Sequence, residues 1–257
     1  MGLHLFRGLL ILTLRYPRLS PLQRGALCRR WSGKMLDVFA IELRISGSVP
    51  QPDAHNTLLV CNHISWLDVI VLASCCTTRY IAKKEIRRWP LIGWMTELGG
   101  TLFIDRGNRR DASRMNRHMA HALQGGDCLT VFPEGTTTDG HHLLPFKSSL
   151  FESAIMATST VQPVAIRYLD QQGGITSAPS YAGNTTLWQS LCGLLRLRKI
   201  IVELHFCKPL HTEGAHFHSR FALSAAARHE IERAFTPATD RPGTAAKSPA
   251  GPPVAAR

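Results

Sequence analysis

The first 36 residues contain no aspartate or glutamate, yet they carry seven arginines and lysines. Asp37 is the first acid. Over all 257 residues the formal charge is +12 and the isoelectric point is near 9.9. An excess of this sign fits an anionic partner: nucleic acid, a membrane surface or an acidic substrate. Aromatic residues are scarce, at 7%, and do not alternate with basic ones. That argues against a base-stacking platform, so no nucleic acid is expected as partner. The seven cysteines (Cys28, Cys61, Cys75, Cys76, Cys128, Cys192 and Cys207) include no Cys-x-x-Cys pair. They read as small core residues in a reducing compartment, not as a zinc site or a disulfide framework. His141-His142 and His216-x-His218 lack the i, i+4 spacing of a helical metal site, so no metal is expected. No Gly-x-Ser-x-Gly elbow and no internal repeat occur. Phe6 stands where a myristoylation signal needs Ser or Thr.

Long apolar runs are missing too. Leu3 to Leu14 is leucine-rich, but Arg7 interrupts it and Pro17 and Pro21 break any helix that continues. Fourteen helical residues reach roughly 21 Å, short of the roughly 30 Å hydrocarbon core. No small-x-small cleavage pattern follows, so a signal peptide is not expected. Over residues 22–43, Leu27, Trp31, Met35 and Phe39 recur four apart, with Arg24, Arg29, Arg30 and Lys34 between them. That spacing predicts a basic amphipathic helix. Two such helices suit the surface of an anionic membrane, although an ordinary surface helix of a basic protein reads the same way.

From Glu42 the pattern changes. Short apolar runs at 42–46, 57–61, 79–83, 101–105, 128–132, 161–168 and 200–207 read as strands. Helical runs fall at 66–75, 111–124, 146–158 and 220–235, and the one at 111–124 is the clearest, with Asp111 as a cap and Gly125-Gly126 after it. The expected fold class is α/β: a mixed, largely parallel sheet flanked by helices, with an N-terminal amphipathic helical membrane anchor. The expected organisation is an anchor over 1–41, an α/β domain over 42–236 and a disordered tail over 237–257, which holds five prolines. Ligands in such sheets bind beyond the carboxyl ends of strands, where His63, Arg106 and Glu134 fall.

Asn62-His63-Ile64-Ser65-Trp66-Leu67-Asp68 lies between the strand at 57–61 and an apolar helix. On an ideal helix, residues five apart are about 140° apart. His63 and Asp68 meet only if His63 sits in the preceding loop and Asp68 in the first turns. A neutral His63 could then take a hydroxyl proton while Asp68 accepts from its other nitrogen. A helix-capping histidine and a first-turn aspartate would give the same pattern. Three further blocks follow. In Gly100-Thr101-Leu102-Phe103-Ile104-Asp105-Arg106 a strand ends in a guanidinium, a group suited to phosphate. In Phe132-Pro133-Glu134-Gly135-Thr136-Thr137 a strand runs into a turn whose hydroxyls and amides can face an anion. In Val161-Gln162-Pro163-Val164-Ala165-Ile166 a strand carries a proline, as an edge or first position allows.

These four blocks, in this order, resemble the glycerolipid acyltransferase family, which includes 1-acylglycerol-3-phosphate acyltransferase and other lysophospholipid acyltransferases. Its pattern is Asn-His-x4-Asp, Gly-x-x-Phe-Ile-x-Arg, Phe-Pro-Glu-Gly-Thr and a Val-Pro-Val-type strand, and Leu144-Pro145-Phe146-Lys147 resembles the segment after its third block. The likeness covers roughly residues 40–210. It implies acyl transfer from a thioester on acyl carrier protein or coenzyme A to a lysolipid hydroxyl. His63 would be the base and Asp68 its orienter, with Arg106, Glu134, Gly135, Thr136 and Lys147 lining the acceptor site. It implies no metal or redox cofactor, membrane lipids as partners, and a place on the cytoplasmic face of the inner membrane. One position departs. Many lysophosphatidate acyltransferases continue Gly-Thr-Arg, with that arginine thought to help bind the acceptor phosphate. Here Thr137 stands there. Losing one such contact, worth about 1.5–3 kcal/mol, could weaken a phosphomonoester acceptor tenfold or more unless Arg106, Lys147 or Arg109-Arg110 compensate. A lyso-ornithine lipid or a lysophospholipid with a larger head group fits the blocks equally. Ser65 and Cys61 lie near His63, but with no nucleophile elbow the expectation is direct attack by the lipid hydroxyl.

Overall fold

The computed structural model describes residues 2–50, 55–89, 92–104, 109–183, 186–197, 199–214, 217 and 219–235. Arg106 and the tail at 237–257 lie outside the described residues. The helices are α1 (Gly2–Leu10), α2 (Pro21–Val38), α3 (Leu67–Cys75), α4 (Ile92–Leu98), α5 (Arg109–Gln124), α6 (Glu152–Met156), α7 (Leu187–Arg196) and α8 (Arg220–Phe235). The strands are β1 (Ile41–Gly47), β2 (Thr57–Cys61), β3 (Arg79–Lys83), β4 (Leu102–Ile104), β5 (Cys128–Val131), β6 (Thr160–Leu169), β7 (Ile200–Phe206) and β8 (Leu210–His211).

The strands form one sheet in the order β1-β7-β6-β2-β5-β3-β4, with β8 beside β6. Pairing is parallel except where β6 meets β7 and β8. The mixed, largely parallel sheet flanked by helices is therefore observed. β2 is central, and all five of its residues are buried. Its alternating side chains feed two cores. Leu59 and Cys61 join Met35 and Leu36 of α2, Phe39 just after it, Leu67, Val71 and Leu72 of α3, and Leu194 of α7. Leu58 and Val60 join Met115, Met119 and Leu123 of α5 and Leu223, Ala227 and Ile231 of α8. α2, expected as a surface element, thus buries one face in the protein itself. Among the described residues no helix is long and apolar enough to cross a membrane.

Several elements differ from expectation. The helix expected over 146–158 is a tight turn at Ser148–Phe151 followed by the five-residue α6. α5 starts at Arg109, so Asp111 lies inside its first turn instead of capping it. α4, α7 and β8 are additional. Pro163 is neither first nor at an edge, since β6 runs between β2 and β7. The lateral partner of β6 switches there from β8, opposite Thr160 and Val161, to β7, opposite Val164 to Leu169. The ladder bond that proline cannot donate falls in that gap, and Gln162 Nε2 fills it by donating to Cys207 O at 2.6 Å.

Asn62 ties the end of β2 to β6. Its Nδ2 donates to Ile166 O at 2.9 Å and its Oδ1 accepts from Ile166 N at 2.7 Å. The side chain thereby continues the parallel ladder past the last strand residue, and it fixes where His63 leaves the sheet. Asn62→Ala leaves a buried N–H and a buried C=O unpaired, so it is expected to cost about 2–4 kcal/mol in urea unfolding. A loss below about 0.5 kcal/mol, within ordinary surface-mutation scatter, would show that the bridge is dispensable.

Candidate active site

His63 sits in the loop after β2, and Asp68 is the second residue of α3. The turn between them brings the side chains together where a helix could not. His63 Nδ1 lies 2.8 Å from Asp68 Oδ2. The same oxygen accepts from Ile64 N at 2.8 Å and Ser65 N at 2.9 Å. Asp68 Oδ1 accepts from the Tyr168 hydroxyl of β6 at 2.6 Å. Asp68 is 0% exposed, and this set of donors takes the place of water. Burial, followed by the Asp68 charge, pushes the Tyr168 phenol well above its usual range, so it stays protonated and donates. With Nδ1 engaged by the carboxyl, Nε2 is the ring nitrogen left to face a substrate. The ring also stacks on Phe132, with centroids 4.0 Å apart and planes 16° apart.

Phe132 begins the loop after β5, which lies beside β2 in parallel, so both loops leave the same end of the sheet. Glu134 joins them. Its Oε1 accepts from His63 N at 2.7 Å and its Oε2 from Leu144 N at 2.9 Å. It is 4% exposed. Burial pushes its carboxyl up, with the two amides opposing that shift. Thr138 N donates to His63 O at 2.8 Å. Gly135 has φ of 76°, which a side chain would strain, and closes a turn to Phe132 O at 3.0 Å. Thr136 is exposed beside these residues. Lys147 is exposed, and its backbone is held by a bond to Pro133 O at 2.9 Å. Thr137 donates its hydroxyl to Tyr181 O. Tyr181 N in turn donates to Ile64 O at 2.9 Å.

His63, Asp68, Glu134 and Gly135 thus come together, while Arg106 and its loop lie outside the described residues. Ser65 and Cys61 are each 0% exposed, and the Ser65 hydroxyl is taken up by Leu67 N at 3.3 Å. Sequence reasoning missed Tyr168, which looked like one more strand residue. A polar-tipped ring near the end of a largely apolar strand was the available signal. It also missed that both Glu134 oxygens serve backbone amides. In the part of α3 that follows Asp68, Val69, Ile70 and Ala73 help line a cavity of about 790 Å³. It runs between α2, α3 and β3 to Gly100 and Thr101, under Ile11, Leu12 and Tyr16. Among the described residues no three His, Cys, Asp or Glu side chains gather as metal ligands. His216 and His218 lie outside them.

The chain is similar to several known proteins. A family model described as Acyltransferase matches residues 42–167. The chain is 38% identical over 188 residues to a 1-acyl-sn-glycerol-3-phosphate acyltransferase of Neisseria gonorrhoeae, covering 72% of this chain and 71% of that one. It is 37% identical over 192 residues to a lyso-ornithine lipid O-acyltransferase of Pseudomonas aeruginosa, covering 74% and 72%. The crystal structure of a 1-acyl-sn-glycerophosphate acyltransferase from Thermotoga maritima shares the fold, with a TM-score of 0.68 over 93% of this chain and 88% of that one at 21% identity.

Glu134→Gln preserves shape but presents an NH2 to one of the two amides. It is expected to cost about 1–3 kcal/mol in stability. It should also speed hydrogen exchange at His63 N or Leu144 N. Unchanged exchange at both amides would show that Glu134 does not hold the loops.

Proposed function

The chain belongs to the acyltransferase family that includes 1-acyl-sn-glycerol-3-phosphate and lyso-ornithine lipid acyltransferases, and from this we propose that it acylates the free hydroxyl of a membrane lysolipid. The donor in this reading is an acyl thioester of acyl carrier protein or coenzyme A. The acceptor is 1-acyl-sn-glycerol-3-phosphate, giving phosphatidate for phospholipid synthesis. The observation that carries the proposal is the His63 ring, tied through Nδ1 to a fully buried Asp68 with Nε2 left over. The lysolipid hydroxyl gives its proton to Nε2 as its oxygen attacks the thioester carbonyl. The carbon–sulfur bond then breaks, and the imidazolium returns the proton to the departing thiolate. Asp68 stabilises the transient charge on the ring. No cofactor is needed beyond the thioester. The buried Ser65 and Cys61 favour direct attack over an acyl-protein intermediate.

The remaining roles belong to the same proposal. Arg106, Gly135, Thr136 and Lys147 would bind the acceptor head group, and Glu134 would hold the loops that carry them. The apolar cavity beyond Val69 suits a fatty chain. The basic N-terminal helices, without an acid before Asp37, would rest on the cytoplasmic face of the inner membrane. A second acceptor, lyso-ornithine lipid, is favoured by one observation. Where many lysophosphatidate acyltransferases continue Gly-Thr-Arg this chain has Thr137, which brings no charge to a phosphate and whose hydroxyl is already given to Tyr181 O. A panel of lysophosphatidate, lyso-ornithine lipid and lysophospholipids, offered with each thioester, decides between them by identifying the lipid product.

Free thiol should appear only when a lysolipid is added. His63→Ala should lower that turnover by about 10²–10⁴-fold without unfolding the protein, and an undiminished rate would sink the assignment. Tyr168→Phe should lower kcat about tenfold or more at unchanged KM, because a bond to a charged group is lost. In an Asp68→Asn background the same change should do little. Equal effects in both backgrounds would mean that Tyr168 does not act through Asp68.

A further inference from the structure

α7 buries Ser190 and Leu194, and Leu191 packs against the core that β2 shares with α2 and α3. The flank beside this buried side is also apolar, and Gln189 and Arg196 stand opposite it. Trp188 is 70% exposed and Leu195, seven residues on, is 48% exposed, with Cys192 between them on that face. A helix that merely covers a sheet would bury such a flank or make it polar. The charge around it is of one sign. No acid occurs from Gln171 to Lys199, which includes Arg196, Arg198 and Lys199. Lys199 pairs with Glu42, whereas Arg196 is exposed and forms no ion pair among the described residues.

Position adds to this. Leu5 of α1, Trp31 of α2 and Leu191 of α7 all pack on the same core, so these helices cover one face of the sheet. The N-terminal segment on that face likewise has no acid before Asp37, and Phe6, Leu10 and Leu14 are exposed along it. The helices of the opposite face mix signs, since α8 carries Glu230 and Glu232 among Arg220, Arg228 and Arg233, and α5 carries Asp111 among its arginines. α7 is also tied to the catalytic loops. Trp66, next to Ser65, donates its indole N–H to Ser190 Oγ at 3.0 Å. Ser180, in the segment leading to α7, donates to Thr138 O at 2.8 Å.

We propose that α7 is a second lipid-docking element, which lays Trp188 and Leu195 in the headgroup region of an anionic bilayer and holds the His63 loops against that surface. This rests on the reading that the acceptor is a membrane lysolipid. An indole and a leucine beside basic residues match the bilayer interface, where aromatic rings and cationic heads both gain. An acidic carrier protein would call for basic residues across the contact itself, whereas here they gather at the end of α7 and its exposed flank is Trp188, Cys192 and Leu195. Because α7 bonds to the catalytic loops, docking it also sets how far a lipid hydroxyl must rise to reach His63.

The test uses the full chain and vesicles of phosphatidylglycerol and phosphatidylcholine. Trp188→Ser/Leu195→Ser should weaken vesicle partition about tenfold or more, and lower turnover of vesicle-borne lysolipid in step. Turnover of a monodisperse short-chain lysolipid should stay unchanged. Brominated lipids should quench the wild-type protein more than Trp188→Phe, a reading that does not depend on the double variant folding. Wild-type partition in the double variant, or equal quenching in the two proteins, overturns the proposal. So does a wild-type dimer that the double variant dissociates, or a raised KM for acyl carrier protein thioester with vesicle binding intact. If no lysolipid is acylated by any form yet partition still falls in the variant, the docking surface stands and the acyl-transfer reading fails.

Discussion

Asp68 is a carboxyl group with no contact with water, and it takes hydrogen bonds from a ring, two backbone amides and a phenol. An uncompensated buried charge costs several kcal/mol, so the site exists only while these donors stay in place. That requirement dictates the local structure. The chain must turn sharply after β2 so that Ile64 N and Ser65 N point at the carboxyl. α3 must begin where it does, and β6 must run far enough beside β2 to bring Tyr168 under it. The same set of bonds that satisfies the carboxyl leaves a single ring nitrogen of His63 unassigned.

Three polar side chains transmit this order to the rest of the sheet, and each spans elements far apart in sequence. Asn62 fixes β2 against β6, Glu134 fixes the His63 loop against the loop after β5, and Tyr168 closes the set from β6. All three bond backbone or carboxyl groups that would otherwise be buried and unpaired. Replacing one therefore disturbs two segments at once. Short motifs spread over a hundred residues can act as one site because the parallel strands end on one side of the sheet.

How legible this was depended on whether a signal was local. The strand into His63, the helix after it and the placement of His63 in a loop followed from apolar runs and helix geometry alone. The parallel sheet followed from the alternation of strands and helices. The role of Glu134 was not readable, because Pro-Glu-Gly-Thr looks like a turn open to ligand, and only the fold brings Leu144 N and His63 N to its two oxygens. Tyr168 was hidden for the same reason, its partner lying 100 residues away. Pro163 was read as marking an edge, but the sheet tolerates it inside by changing partner strands there. α7 was missed although Leu187, Trp188, Leu191, Leu194 and Leu195 fall on one broad helical face, because a run of ten residues is short enough to read as a connection.

The central claim is that Asp68 holds His63 with Nδ1 protonated and Nε2 bare. Nitrogen NMR of histidine-labelled protein, at a pH where the ring is neutral, reads this directly. The Nδ1–H form is expected for His63 in the wild type, with that preference lost in Asp68→Asn. A wild-type ring with its proton on Nε2 would contradict it, because that nitrogen could not then take a proton from a lipid hydroxyl.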